Sequence, residues 1–133
     1  MVIVITFGNF DLFHTGHVRI LKRAREFGDR LIVGISTDEM TKREKNKECI
    51  MTQDQRAEIV AACKYVDDIF FEESLDKKAE YIKKYKADIL VMGDDWRGRF
   101  DDMPCKVIYL PRSDRISTTM LKEKLDKLKP KEF

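Results

Sequence analysis

The chain reads as an α/β protein, a Rossmann-like doubly wound parallel sheet of about five strands with flanking helices. Three observations predict this. Short apolar runs rich in β-branched residues alternate with amphipathic stretches along the whole chain. The runs are apolar on nearly every residue, as strands are when helices cover both faces of a parallel sheet. The polar, glycine-bearing segments directly follow the runs, at the carboxyl ends of the strands, where open α/β sheets bind ligands.

The strands fall at 2–7 (VIVITF), 30–36 (RLIVGIS), 68–71 (DIFF), 88–92 (DILVM) and 106–110 (KVIYL). Between them, helices are expected at about 16–27, 53–64, 76–86 and 118–129. In the first, His17, Ile20, Leu21 and Ala24 lie at i, i+3, i+4 and i+7 on one stripe, and Gly28 is placed to end it. Thr52 with Gln55 makes a capping-box start for the second. Strands alternating with helices imply right-handed crossovers. The run 42–47 (KREKNK) reads as a loop, solvated or folded over a ligand, and the tail from Lys122 is rich in lysine.

At 133 residues the chain is of single-domain size, giving one domain over 1–133. No apolar run approaches the ~20 residues of a membrane span. The opening Met1-Val-Ile-Val-Ile5 lacks the basic start and cleavage site of a secretory signal, so the cytoplasm is expected and no membrane partner. A net charge of +2 gives no case for nucleic acid. Cys49, Cys63 and Cys105 are scattered without CxxC spacing, so neither a zinc site nor a disulfide framework is indicated. Cys63 is expected in the core and Cys49 as an exposed thiol.

His14 and His17, the only histidines, flank Gly16 where the first strand gives way to a helix. Free N–H groups at a helix start attract phosphate, and both imidazoles could approach the same anion. A pair of hydrogen-bonded structural histidines, or a metal pair, fits the same residues. A second phosphate-ready element is Arg112-Ser-Asp-Arg-Ile-Ser-Thr-Thr119, in which Ser117 can cap the last helix and Arg112 can clamp phosphate oxygens. Arg56 opens the apolar stripe of Ile59, Val60 and Cys63, at a place suited to a ligand or an ion pair.

In order along the chain come Phe7-Gly-Asn-Phe-Asp-Leu-Phe-His-Thr-Gly-His17, Ile35-Ser-Thr-Asp-Glu39, the pair Lys45 and Lys47, Tyr65-Val-Asp-Asp68, Met92-Gly-Asp-Asp-Trp96 and the 112–119 segment. This set resembles the cytidylyltransferase family, and most closely its glycerol-3-phosphate branch, over about residues 3–125. The resemblance implies transfer of CMP from CTP to glycerol 3-phosphate, giving CDP-glycerol for teichoic-acid-type or capsular polymers. It implies that His14 and His17 hold the triphosphate and stabilise the transition state, with Lys47 and Arg112 sharing in catalysis. Gly8, Asn9, Phe10, Asp11 and Gly16 would surround the nucleotide, with Asp95 near it. Arg112, Ser113, Ile116, Ser117, Thr118 and Thr119 would wrap it. Lys45 and Lys78 would contact the acceptor, with Arg56 and Lys64 on the same side. Mg²⁺ would arrive bound mainly through the triphosphate rather than in a protein cage, and the protein would be a homodimer. Asn9 and Ser113 stand where relatives carry threonine, Lys64 where many carry arginine, and Leu75 where tryptophan is common.

Two other readings compete. A transferase of the same fold could use ATP or another phosphorylated alcohol or sugar. A non-catalytic nucleotide-binding regulatory module would have no need to retain both histidines, the lysine pair and the 112–119 segment together.

Overall fold

The computed structural model describes residues 1–111 and 118–128. In chain order these form β1 (Ile3–Gly8), α1 (Thr15–Arg25), β2 (Arg30–Ser36), α2 (Asp38–Lys45), α3 (Gln53–Ala62), β3 (Asp68–Glu72), α4 (Lys78–Lys84), β4 (Ile89–Gly93), β5 (Lys106–Leu110) and α5 (Thr118–Lys127). The five strands make one parallel sheet in the order β3-β2-β1-β4-β5. From β1 the chain steps outward through β2 to β3, then returns to place β4 on the other side of β1. That reversal makes the carboxyl end of β1 the topological switch point, where a crevice opens.

Helices cover both faces, as the apolar strands require. On one face Val4, Leu31 and Val33 pack with Leu21 and Ala24 of α1 and with Ala57 and Val60 of α3. On the other, Ile5, Phe7, Leu90 and Met92 pack with Ile82 of α4. The β4–β5 crossover has a 3-10 turn (Asp94–Trp96) in place of an α-helix and fills that face with Phe100, Trp96 and Met103. Each large side chain fully buried this way contributes roughly 1.5–3 kcal/mol. Cys63 packs at the margin of the first cluster. Among the described residues no helix is long and apolar enough to cross a membrane.

Three elements differ from expectation. The run 42–47 is not all loop: its first four residues belong to α2, capped by Thr37, whose Oγ1 accepts from Met40 N–H. Asp38 and Glu39 in the first turn and Lys42, Arg43 and Lys45 in the last match the helix dipole. α1 ends at Arg25, and Gly28 is not a left-handed cap. A Cβ at Gly28 would come within 2.7 Å of the Val2 carbonyl oxygen, so glycine serves close backbone approach. The helix expected at 76–86 is a 3-10 turn (Leu75–Lys77) followed by the shorter α4.

Candidate active site

A cavity of about 390 Å³ opens at the carboxyl ends of the strands. The β1–α1 connection supplies Gly8, Asn9, Phe10, Asp11, His14 and Gly16, and α1 adds His17. After β2 come Lys45, Lys47 and Cys49; β3 and the segment after it add Glu72, Leu75 and Lys78. Gly93, Asp95 and Trp96 follow β4, and Thr119 and Lys122 of α5 complete the wall.

The spacing of the two histidines has a local structural cause. His14 is the N-cap of α1, and its Nδ1 accepts from the Gly16 N–H at 3.0 Å. His17 reaches back, its Nδ1 accepting from the His14 N–H at 3.1 Å. This is a capping box built from imidazoles, which is why the residues stand three apart. The rings stack with centroids 3.9 Å apart. Phe10 and Phe13 lie against His17 at 5.4 and 5.3 Å. Burial, with His14 alongside, pushes the His17 imidazole down to about 4, against the pull of Asp11. His17 is therefore neutral at neutral pH. With Nδ1 of each ring occupied as an acceptor, the neutral tautomer carries its proton on Nε2 and offers that N–H as a donor.

The turn before the histidines is strained and tied down. Phe10 and Leu12 have φ of 60° and 49°, left-handed values that cost about 1–3 kcal/mol each for such side chains. Asp11 Oδ1 accepts from the Leu12 and Met51 N–H groups and Oδ2 from the Ile50 N–H, at 2.8–3.1 Å. Lys122 of α5 pairs with the same carboxylate at 3.7 Å. Asn9 Oδ1 accepts from the Asp11 N–H, and its amide donates to Thr41 Oγ1 and Cys49 Sγ. Asn9 and Asp11 thus line the cavity while their side-chain atoms hold the turn and the 49–51 segment. Cys49 is half-buried rather than exposed.

Arg56, expected on the acceptor side, does not line the cavity. It is fully buried, its Nε donating to Met51 O and its Nη1 to Asn9 O and Ser36 O. Its Nη2 pairs with Asp38 at 2.6 Å. The guanidinium fork joins three chain segments that bound the site. Lys64 is also absent from the cavity: it is exposed, over the Tyr65 ring, on the segment entering the amino end of β3, opposite the site. Arg112, Ser113, Ile116 and Ser117 lie outside the described residues; α5 opens at Thr118.

On the β3 side, Lys78 and Glu72 form a buried ion pair. The Lys78 ammonium sits over the Phe7 ring at 4.3 Å and the Phe100 ring at 5.4 Å. Gly34 makes room for this: a Cβ there would come within 2.6 Å of the Phe7 ring. Burial raises the Glu72 carboxyl and lowers the Lys78 amine from their ordinary values, each against the pull of the other. Lys45 lies over Trp96 at 5.6 Å. Glu72 and Lys122 also line the cavity, beyond the residues expected there; that Glu72 ends a strand at its carboxyl edge was the available signal.

A helix start with donors toward a strand-end crevice, lined by lysines, is a site for phosphate groups. The cytidylyltransferase-like family model matches residues 5–124. The chain belongs to that family. It is 44% identical over 124 residues to the glycerol-3-phosphate cytidylyltransferase of Bacillus subtilis, covering 92% of this chain and 95% of that protein. Against the enzyme of the same name from Staphylococcus aureus it is also 44% identical over 124 residues, covering 92% and 93%. A crystal structure of the lipopolysaccharide core biosynthesis protein from Thermoplasma volcanium superposes with a TM-score of 0.70 at 24% identity, covering 87% of this chain and 99% of that one. The last comparison shows the shared fold of this family member alone.

Proposed function

We propose that this protein transfers CMP from CTP to sn-glycerol 3-phosphate, releasing pyrophosphate and forming CDP-glycerol. The observation that carries the reading is the 44% identity, across nearly the full length of both chains, to enzymes bearing that name. The cavity supports it with the neutral His17 imidazole, the His14 ring beside it, lysines and a helix start in its lining.

On this reading an oxygen of the acceptor phosphate attacks the α-phosphorus of CTP in line. The new P–O bond forms as the bond to the β-phosphate oxygen breaks, and the electron pair leaves with pyrophosphate. No protein nucleophile is needed, so catalysis is positioning plus stabilisation of charge on the phosphoryl oxygens. His14 and His17 donate Nε2–H to those oxygens and, being held to backbone through Nδ1, need not reorganise. Lys47 neutralises the triphosphate, Lys45 and Lys78 hold the acceptor phosphate, and Arg112 with 113–119 wraps the nucleotide, near Asp95. Among the described residues no group of three or more His, Cys, Asp or Glu could hold a metal ion. Mg²⁺ would arrive on the triphosphate. When bound, it neutralises phosphate charge.

A cytoplasmic homodimer supplying CDP-glycerol for teichoic-acid-type or capsular polymers completes the proposal. Met120, Leu125 and Leu128 are exposed apolar side chains on and just after α5 that a second copy could cover. Pyrophosphate release is the test, run with a panel of nucleoside triphosphates and phosphorylated alcohols. CTP with glycerol 3-phosphate should be the fastest pair. ATP outpacing CTP would move the chain to an adenylyl-transferring branch, and no turnover with any pair would favour a regulatory binding module. Sedimentation tests the dimer separately.

A further inference from the structure

At the carboxyl end of β3, Glu72 is 1% exposed yet lines the cavity. Its Oε2 accepts from the Lys78 ammonium, while its Oε1 accepts no hydrogen bond from any described residue. No fully enclosed side-chain oxygen or nitrogen among the described residues lacks a partner, so Oε1 is open to the cavity. The carboxylate is held in place: Lys78 anchors one oxygen and is itself seated over Phe7 and Phe100.

A wall meant only for phosphate gains nothing from a carboxylate, which repels it. An ionised carboxylate accepts hydrogen bonds and offers none, so Oε1 suits a donor group on the ligand. That donor could be a hydroxyl or an ammonium. Lys78 already pairs with the carboxylate, and Lys45 and Glu44 act on the pair with opposite charges. The balanced charges leave no net attraction for a further cation, and a neutral hydroxyl remains.

We infer that Glu72 determines acceptor specificity, its Oε1 accepting a hydroxyl hydrogen from a phosphorylated polyol whose phosphate is held by the neighbouring lysines. The inference rests on the transferase reading above and extends it to a residue with no assigned role. It selects neutral hydroxylated phosphates over amino-alcohol phosphates and over alkyl phosphates lacking hydroxyls.

The test compares glycerol 3-phosphate, n-propyl phosphate and phosphoethanolamine as acceptors at saturating CTP. In the unaltered enzyme, kcat/KM for glycerol 3-phosphate should exceed that for n-propyl phosphate by roughly 10- to 100-fold, the scale of a charge-assisted hydrogen bond. In Glu72→Met the ratio should fall to within about threefold on the same basis, through the acceptor KM, with the KM for CTP unchanged. If the lone Lys78 left by that change prevents folding, Glu72→Met/Lys78→Met removes both charges. The ratio still reports on Glu72, because both acceptors carry the same phosphate. A ratio preserved in the variant, with both acceptors slowed alike, would mean that Glu72 only neutralises Lys78 and would overturn the inference. So would a wild-type preference for phosphoethanolamine. Failure of glycerol 3-phosphate to turn over at all would instead count against the transferase reading. Calorimetric binding of glycerol 3-phosphate and n-propyl phosphate to the CTP-loaded protein would then give the hydroxyl preference directly, and equal affinities would overturn it.

Discussion

Replacing Arg56 by methionine keeps most of the apolar stem and removes the guanidinium, so its effect can be worked out bond by bond. Three backbone carbonyls, of Asn9, Ser36 and Met51, lose their donor, and Asp38 loses its charge partner. Each orphaned carbonyl costs about 1–3 kcal/mol, reduced where water or a second donor reaches it. Asp38 is half exposed, so losing its partner adds little, and the orphaned carbonyls set a net loss of about 3–5 kcal/mol. A chain of this length has roughly 7–20 kcal/mol of stability at about 0.05–0.15 per residue, so the loss is a large share. The melting temperature should fall by about 10–20 °C. Circular dichroism against temperature measures this. Turnover below the variant's own midpoint should show a raised KM for CTP, because the freed carbonyls belong to segments bounding the cavity. Arg56→Lys keeps the charge but cannot span the four acceptors, and should recover only part of the loss. A melting temperature within about 3 °C of wild type for Arg56→Met would refute the reasoning, since the fork would then carry no net stability.

Other predictions follow from the same geometry. His14→Ala and His17→Ala should each lower kcat by roughly 10²- to 10⁴-fold while the fold survives, losing about 1 kcal/mol with the cap; near-full turnover in steady-state assays by either variant would exclude that imidazole from catalysis. His17 stays neutral down to about 4 when folded, while the unfolded chain takes up that proton near 6.5. The unfolded state binds more protons between those values, so stability falls as pH drops through that window, by up to about 3 kcal/mol. Urea unfolding at a series of pH values should show a shallower fall for His17→Gln, and identical slopes would contradict the assignment. Lys45→Ala should mainly raise the acceptor KM and Lys47→Ala that for CTP; equal small effects would return both lysines to ordinary surface charge.

The strands were legible because each is covered on both faces and so is apolar on nearly every residue. α2 was not: Met40 and Thr41 are the residues it buries, too little for a periodic pattern in eight residues. The spacing of His14 and His17 was visible, but imidazoles are unusual helix caps, so their double duty emerges only in three dimensions. Arg56 was rightly singled out as a charge on a buried stripe. Beside Asp38, its partners are backbone carbonyls up to 47 residues away in sequence, which no side-chain pattern reports. Lys64 was misplaced for a simpler reason: it precedes β3, and a residue entering a parallel strand stands at the end away from the ligand crevice. Glu72 carried no signal beyond its place at a strand end, and its partner Lys78 stands six residues on.

The position of β1 between β2 and β4 sets a schedule for synthesis. One edge of the strand can be paired as soon as Arg30–Ser36 exists, but the other waits for Ile89–Gly93. At about 5–20 residues per second the ribosome takes roughly 4–17 s to go from the end of β1 to the end of β4. Throughout, a central strand with Val4 and Ile5 exposes unpaired backbone of the kind that recruits other chains. Thr6 Oγ1, which donates to Val91 O in the finished fold, has no such acceptor until the end of that interval. A chain ending at Tyr85 should therefore associate with itself, and one extended through Leu110, with both neighbours of β1 in place, should do so far less; equal behaviour on sizing columns would dissociate the hazard from the open edge.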